Sequence, residues 1–124
     1  MKNLILATLL TLTALSASAD RSFYECTLPQ ADEYRVGIDL NRKIAGFFDN
    51  DTTTMMNYIQ SRKSKKNPNH KVLIFRGQDS NYSDQLLLEF NISTKHMKLS
   101  TISKKGRVEP IGAGPCAVAS PWKW

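Results

Sequence analysis

The feature that most constrains the fold is an alternation of apolar and polar residues that recurs after the N-terminal segment. It is clearest in residues 34–40, where Tyr34, Val36, Ile38 and Leu40 alternate with polar residues and glycine. A period of two places successive side chains on opposite faces of a β-strand, so that one face can line a core. Helical periodicity is almost absent, and the sequence therefore predicts an all-β protein.

Short polar turns divide this pattern into candidate strands. The candidate strands are residues 22–28, 34–40, 43–48, 52–60, 71–76, 84–93, 96–102 and 107–111. No long helical crossover separates them, as parallel strands would require, so sequence neighbours are expected to pair antiparallel. We expect a meander of seven to eight strands that forms a closed or partly open β-barrel, because closure removes exposed edges. A two-sheet sandwich is the alternative.

The N-terminal residues have the order of a secretory signal peptide. Lys2 precedes an apolar run over residues 4–15, and the small residues Ala17, Ser18 and Ala19 follow. This order predicts cleavage after Ala19 and a periplasmic or secreted destination. No second apolar run of about twenty residues follows, so we expect no transmembrane segment. The remaining residues, 20–124, have a length that suits one domain.

Two cysteines, Cys26 and Cys116, lie near the two ends of the strand pattern. In the oxidising compartment of an exported chain we expect them to form a disulfide that joins the chain ends. A loop of about 90 residues would gain about 4–5 kcal/mol by the chain-entropy relation. The alternative, a reactive or metal-binding thiol, needs neighbouring ligands, and the chain has only two histidines.

Residues 61–70 are polar and strongly basic, and they are predicted to form a loop. The candidate binding site consists of four cations of this loop and one just beyond it: Arg62, Lys63, Lys65, Lys66 and Lys71. Such a cluster attracts anions by charge and counterion release, so the expected partner is an anionic envelope component or an acidic protein. No aromatic residues are interleaved with the charges, so nucleic acid is not expected. The alternative is a solvated hairpin tip that keeps the protein soluble.

The C-terminal residues 112–124 are rich in Gly, Ala and Pro and are predicted to be an irregular tail. Trp122 and Trp124 flank one lysine at its end, a pattern that suits a membrane interface or the pocket of a partner. These two indoles are a candidate tail anchor. Alternatively, they fold back and plug one end of the barrel.

The sequence contains no recognisable catalytic or metal-binding pattern. His70 and His96 lie in no nucleophile or zinc motif. The two acidic segments, residues 49–51 and 79–84, lack the loop pattern of a calcium site. Their composition is explained by turn formation. We therefore expect no metal, no cofactor and no enzymatic activity.

The opening Tyr24-Glu25-Cys26, the export signal and the all-β pattern resemble the small periplasmic β-barrel inhibitors of lysozyme. The chain lacks the Ser-Gly-x-x-Tyr loop and the later Trp-Lys-Gly segment of that family, so no site residue is carried over.

The leading functional hypothesis is a non-catalytic, monomeric binding or inhibitory protein of the cell envelope. It would contact an anionic surface or an acidic protein through the basic loop. The second hypothesis is a β-barrel that carries a small apolar ligand inside, because eight strands can enclose one such molecule. A small hydrolase is the third.

Overall fold

The computed structural model of the protein describes residues 22–30, 34–49, 52–78 and 84–121. Within these ranges the chain forms β1 (Phe23–Thr27), β2 (Tyr34–Asp39), β3 (Ile44–Asp49), β4 (Thr52–Lys63), β5 (Lys71–Gln78), β6 (Gln85–Asn91), β7 (His96–Ile102) and β8 (Val108–Val118). Each strand pairs antiparallel with the next, and β8 pairs with β1. The predicted all-β meander and its closure into a barrel are confirmed, and the sandwich alternative is wrong.

The interior of the barrel is filled by apolar side chains that alternate along the strands. The register places Val36 of β2 between Cys26 and Phe47, all of which are buried. The buried cluster comprises Tyr24, Cys26, Leu28, Val36, Ile38, Ala45, Phe47, Met56, Phe75, Leu86, Leu88, Phe90, Met97, Leu99 and Cys116. An eight-stranded barrel is just wide enough for such side chains to fill it.

The C-terminal strand is longer than the sequence predicts. β8 extends to Val118, whereas the sequence predicts that an irregular tail begins at Gly112 and runs over residues 112–124. Steric crowding explains the glycines that suggested irregularity. A Cβ on Gly114 would lie 1.8 Å from the carbonyl oxygen of Thr27, and one on Gly112 would lie 2.9 Å from Cδ2 of Leu28. These glycines allow close approach of β8 to β1 and to the residues that follow it.

Cys26 and Cys116 form the predicted disulfide, with an S–S distance of 2.01 Å. The two residues lie opposite each other where β1 pairs with β8, a pairing of three register positions. This is fewer than the five positions between β1 and β2. The disulfide thus reinforces the shortest pairing in the barrel, and it indicates an oxidising compartment.

The barrel has two chemically different ends because successive connections of a meander alternate between them. The β2–β3, β4–β5 and β6–β7 connections lie at one end, which we call the basic end. The other four connections lie at the opposite end, which we call the mouth end.

Two turns at the basic end share one hydrogen-bonding pattern. Asp39 Oδ1 accepts bonds of 3.0 and 3.1 Å from the backbone N–H groups two and three residues later. Asn91 Oδ1 accepts the equivalent bonds at 2.9 and 3.1 Å. Each turn ends in a lysine of positive φ, which is 54° at Lys43 and 59° at Lys95. A short side chain that bonds to its own turn therefore sets both hairpins.

The first prediction concerns the pairing of β1 with β8. Cys26→Ala/Cys116→Ala should lower the free energy of unfolding by about 4 kcal/mol, because the loop between the cysteines is long. Amide hydrogen exchange should increase more in β1 and β8 than in β4 and β5, which pair over a longer stretch. Urea unfolding and exchange mass spectrometry measure the two effects. A uniform increase of exchange over all strands would contradict a local role in closure.

The second prediction concerns the pH dependence of stability through Asp39. Burial alone raises the pKa of this carboxyl, but hydrogen bonds and charge from Arg42, with the Asn41 N–H, outweigh burial and lower the pKa below 3.8. The Asp39 carboxylate therefore stabilises the fold above about pH 4, and this contribution is lost as pH falls through the lowered pKa. Asp39→Asn should cost about 1 kcal/mol at neutral pH, because the turn acceptor stays and the ion pair is lost.

Urea unfolding at pH 7, 4 and 2 checks this, and the difference between Asp39→Asn and wild type should shrink as the pH falls. Glu109→Gln is the matched control, because Glu109 is exposed and lies 3.5 Å from Arg107. A difference for Asp39→Asn that is the same at every pH would contradict the role assigned to the charge.

Candidate functional site

The basic end brings together the cations of the predicted binding loop. Lys63 ends β4, Lys71 begins β5, and Lys65 and Lys66 lie in the connection between these strands. The other two connections of this end add Arg42, Lys43 and Lys95. Cations from three separate connections therefore surround one end of the barrel.

Hydrogen bonds hold the tip of the β4–β5 hairpin, residues 64–70. The Ser64 N–H donates to the His70 carbonyl at 2.9 Å, and the His70 N–H donates to the Asn67 carbonyl at 2.9 Å. The Asn67 side chain accepts from the Asn69 N–H at 3.2 Å and lies 3.1 Å from Nε2 of His70. A tip that is ordered by its own hydrogen bonds loses less conformational entropy when its cations bind a partner.

Lys63 and Lys71 lie directly opposite each other at the base of this hairpin. Like charges in opposite positions of a sheet repel, so an anion between them would relieve the repulsion. Both residues line a cavity of about 370 Å³, together with Asn69 and His70 of the hairpin tip. The chain thus offers an anion two ammonium groups and neighbouring polar groups at the rim of the barrel.

A groove of about 330 Å³ lies on the outer side of the same hairpin. Lys65 and Lys66 line it from the hairpin tip, and His96 and Lys98 line it from β7. Neither His96 nor Lys98 belongs to the binding site that the sequence predicts. Their spacing of two residues places them on one face of β7, but the sequence alone does not show that the β4–β5 hairpin reaches this strand.

Arg62 holds the hairpin against the barrel. Its Nη2 atom forms an ion pair with Oε2 of Glu89, and its Nη1 atom donates to the Lys63 carbonyl at 3.3 Å. The register places Arg62 beside Val72 of β5 and Glu89 beside Ile74, so the ion pair crosses the outer face of that strand. The charge of Arg62 is therefore compensated within the protein.

A β-bulge between Tyr58 and Gln60 explains how Arg62 reaches Glu89. Without the bulge, the period of two would place Arg62 on the same face as Tyr58, which packs against the core. The extra residue moves Arg62 to the outer face of the sheet. This shift also explains why residues 61–63 belong to β4 rather than to the predicted loop, since they continue to pair with β5 beyond the bulge.

The four lysines of the predicted site differ from Arg62. In the part of the chain that the structure describes, Lys63, Lys65, Lys66 and Lys71 take part in no ion pair. They are therefore the members of the predicted cluster whose charge is available to a partner.

Lys43 and Lys95 cover the interior of the barrel at the basic end. Their Nζ atoms lie 5.5 Å and 5.3 Å from the ring centroids of Tyr58 and Tyr24, respectively. The Lys95 ammonium also donates to the Ile92 carbonyl at 2.6 Å. These cation–π contacts hold the two ammonium groups over aromatic rings at the basic end. The two lysines also add positive charge beside the hairpin.

The other candidate features give no further site. The predicted signal peptide, residues 1–19, and the candidate tail anchor, Trp122 and Trp124, lie outside the described residues. Within the described ranges, no three metal-ligating side chains of His, Cys, Asp or Glu come together. No helix of these ranges has the length and apolar character required to cross a bilayer.

No protein-family model, no curated protein and no solved structure matches this chain.

Proposed function

We propose that the protein is an exported, non-catalytic binding protein of the cell envelope, and that its basic end contacts an anionic surface. The observation that carries this proposal is the position of Lys63, Lys65, Lys66 and Lys71 at one end of a closed barrel, without ion pairs to other described residues. The order of charged, apolar and small residues at the N-terminus supports export. The disulfide is consistent with export.

The charge difference between the two ends supports an oriented contact. The mouth end carries Lys104, Lys105 and Arg107, but it also carries Asp49, Asp84 and Glu109. Charges of both signs largely compensate one another, whereas the described residues of the basic end carry an excess of cations. An anionic surface would therefore attract the basic end first.

A surface with many anions fits these cations better than a single small anion does. The lysines lie in two grooves on either side of the hairpin, and further cations come from the two neighbouring turns. One small anion can bind in only one groove, whereas phosphates or sugar acids spread over a surface contact several cations at once. Each lysine near such a surface contributes about 1 kcal/mol, so four contribute about 4 kcal/mol, or roughly a thousand-fold in binding.

The third prediction compares two Lys-Lys pairs that lie at opposite ends of the barrel. Lys65→Ser/Lys66→Ser should weaken binding to anionic vesicles roughly thirty-fold, because two cations of the contact are lost. Lys104→Ser/Lys105→Ser changes the net charge by the same amount at the mouth end and should weaken binding less than about threefold. Vesicle sedimentation with anionic and with zwitterionic lipid measures both effects, and wild-type binding should decrease as salt increases.

Equal weakening by the two variants would contradict an oriented contact and would indicate attraction by net charge alone. Absence of wild-type binding to anionic vesicles at low salt would overturn the proposed contact with a lipid surface. An acidic protein would then be the partner to test against the same two variants.

A further inference from the structure

The mouth end contains a cavity whose chemistry differs from that of the basic grooves. Its volume is about 240 Å³. Its lining includes the aromatic and aliphatic side chains of Tyr34, Phe47, Leu86 and Ile111. It also includes the carboxylates of Asp49 and Asp84. An apolar wall with two carboxylates is thus present at the end of the barrel that faces away from the basic hairpin.

The strand pattern explains why the carboxylates lie at this cavity. Asp49 follows the buried Phe47 by two residues on β3, and it pairs with Tyr34 of β2. Asp84 precedes the buried Leu86 of β6 by two residues. In both places the alternation that directs apolar side chains into the barrel ends in an aspartate at the rim.

The aromatic residues of the cavity form a corner. The ring centroids of Tyr34 and Phe47 are 5.3 Å apart, and the ring planes are inclined by 55°. Aromatic faces attract cations, and they also provide apolar contact area.

The mouth end contains cations, but none of those described is paired with either aspartate of the cavity. No Lys or Arg of the described residues forms an ion pair with Asp49 or Asp84. A cation that enters the cavity would therefore meet two carboxylates and two aromatic rings. A bare metal ion is less suited, because calcium and magnesium require about six or more oxygen ligands, whereas four of the six side chains named for this cavity are aromatic or aliphatic.

We propose that this cavity binds a small organic ammonium ion that carries an apolar body. The ammonium group lies near Asp49 and Asp84, and the apolar body lies against Tyr34, Phe47 and Leu86. The ligand is small, because the cavity is below the range of about 300–1,000 Å³ that is usual for drug-sized molecules. This site is separate from the contact proposed for the basic end, and it would face away from a surface bound there.

The test uses phenethylammonium chloride as the probe, with 2-phenylethanol as its uncharged analogue and 3-phenylpropionate as its anionic analogue. Calorimetric titration of the wild-type protein should show saturable binding of the ammonium compound, weaker binding of the alcohol and none of the carboxylate. Asp49→Asn/Asp84→Asn should weaken ammonium binding at least about tenfold, because the opposite charges are removed. It should leave binding of the alcohol nearly unchanged.

Glu109→Gln is the control, because it removes a carboxylate at the same end that does not line the cavity. It should change ammonium binding less than about twofold. If the double variant fails to fold, Asp84→Asn alone serves the test, because Asp84 lies outside the strands. Ammonium binding no tighter than alcohol binding, or equal weakening by Glu109→Gln, would overturn the proposal, as would the absence of saturable ammonium binding.

Discussion

The closure of the sheet between its first and last strands is the constraint on which the rest of this structure depends. β1 and β8 share three register positions, one of which is the disulfide pair. Without this pairing the sheet would have two unpaired edges, and core residues of both strands would lose neighbours. The pairing also requires Gly114, because a Cβ there would overlap the carbonyl oxygen of Thr27. The disulfide and the absence of a side chain at Gly114 therefore both contribute to the closure of the barrel.

Closure of the barrel also determines how the charged residues of the connections are distributed between its two ends. In a closed meander, alternate connections lie at the same end of the barrel. The second, fourth and sixth connections and the strand ends beside the fourth carry six of the nine described lysines, whereas Asp49 and Asp84 lie at the third and the fifth connections. Neither end is basic or acidic because of one segment alone. The difference in charge between the two ends becomes visible only when the connections at each end are considered together.

The sequence predicts the parts of this structure that depend on local pattern or on oxidation state. Alternation predicts β7 with its observed ends, and the two cysteines predict the disulfide. The end of β8 was missed because Gly112 and Gly114 resemble loop residues, although close contacts with β1 and Leu28 explain them. The ion pair of Arg62 was missed for another reason. Its partner, Glu89, is 27 residues away, and a β-bulge decides which face Arg62 occupies. Neither fact follows from local alternation.

Distance and salt screening separate the two ends electrostatically, and the packed interior separates them physically. The seven residues of β6 span about 20 Å, which exceeds the screening length of about 8 Å at physiological salt. The cations of the basic end therefore contribute little to the potential at Asp49 and Asp84. Fully buried side chains such as Met56, Leu88 and Leu99 fill the space between the ends. A ligand at the mouth end cannot reach the basic end without displacing this core, so occupation of one end leaves the other available.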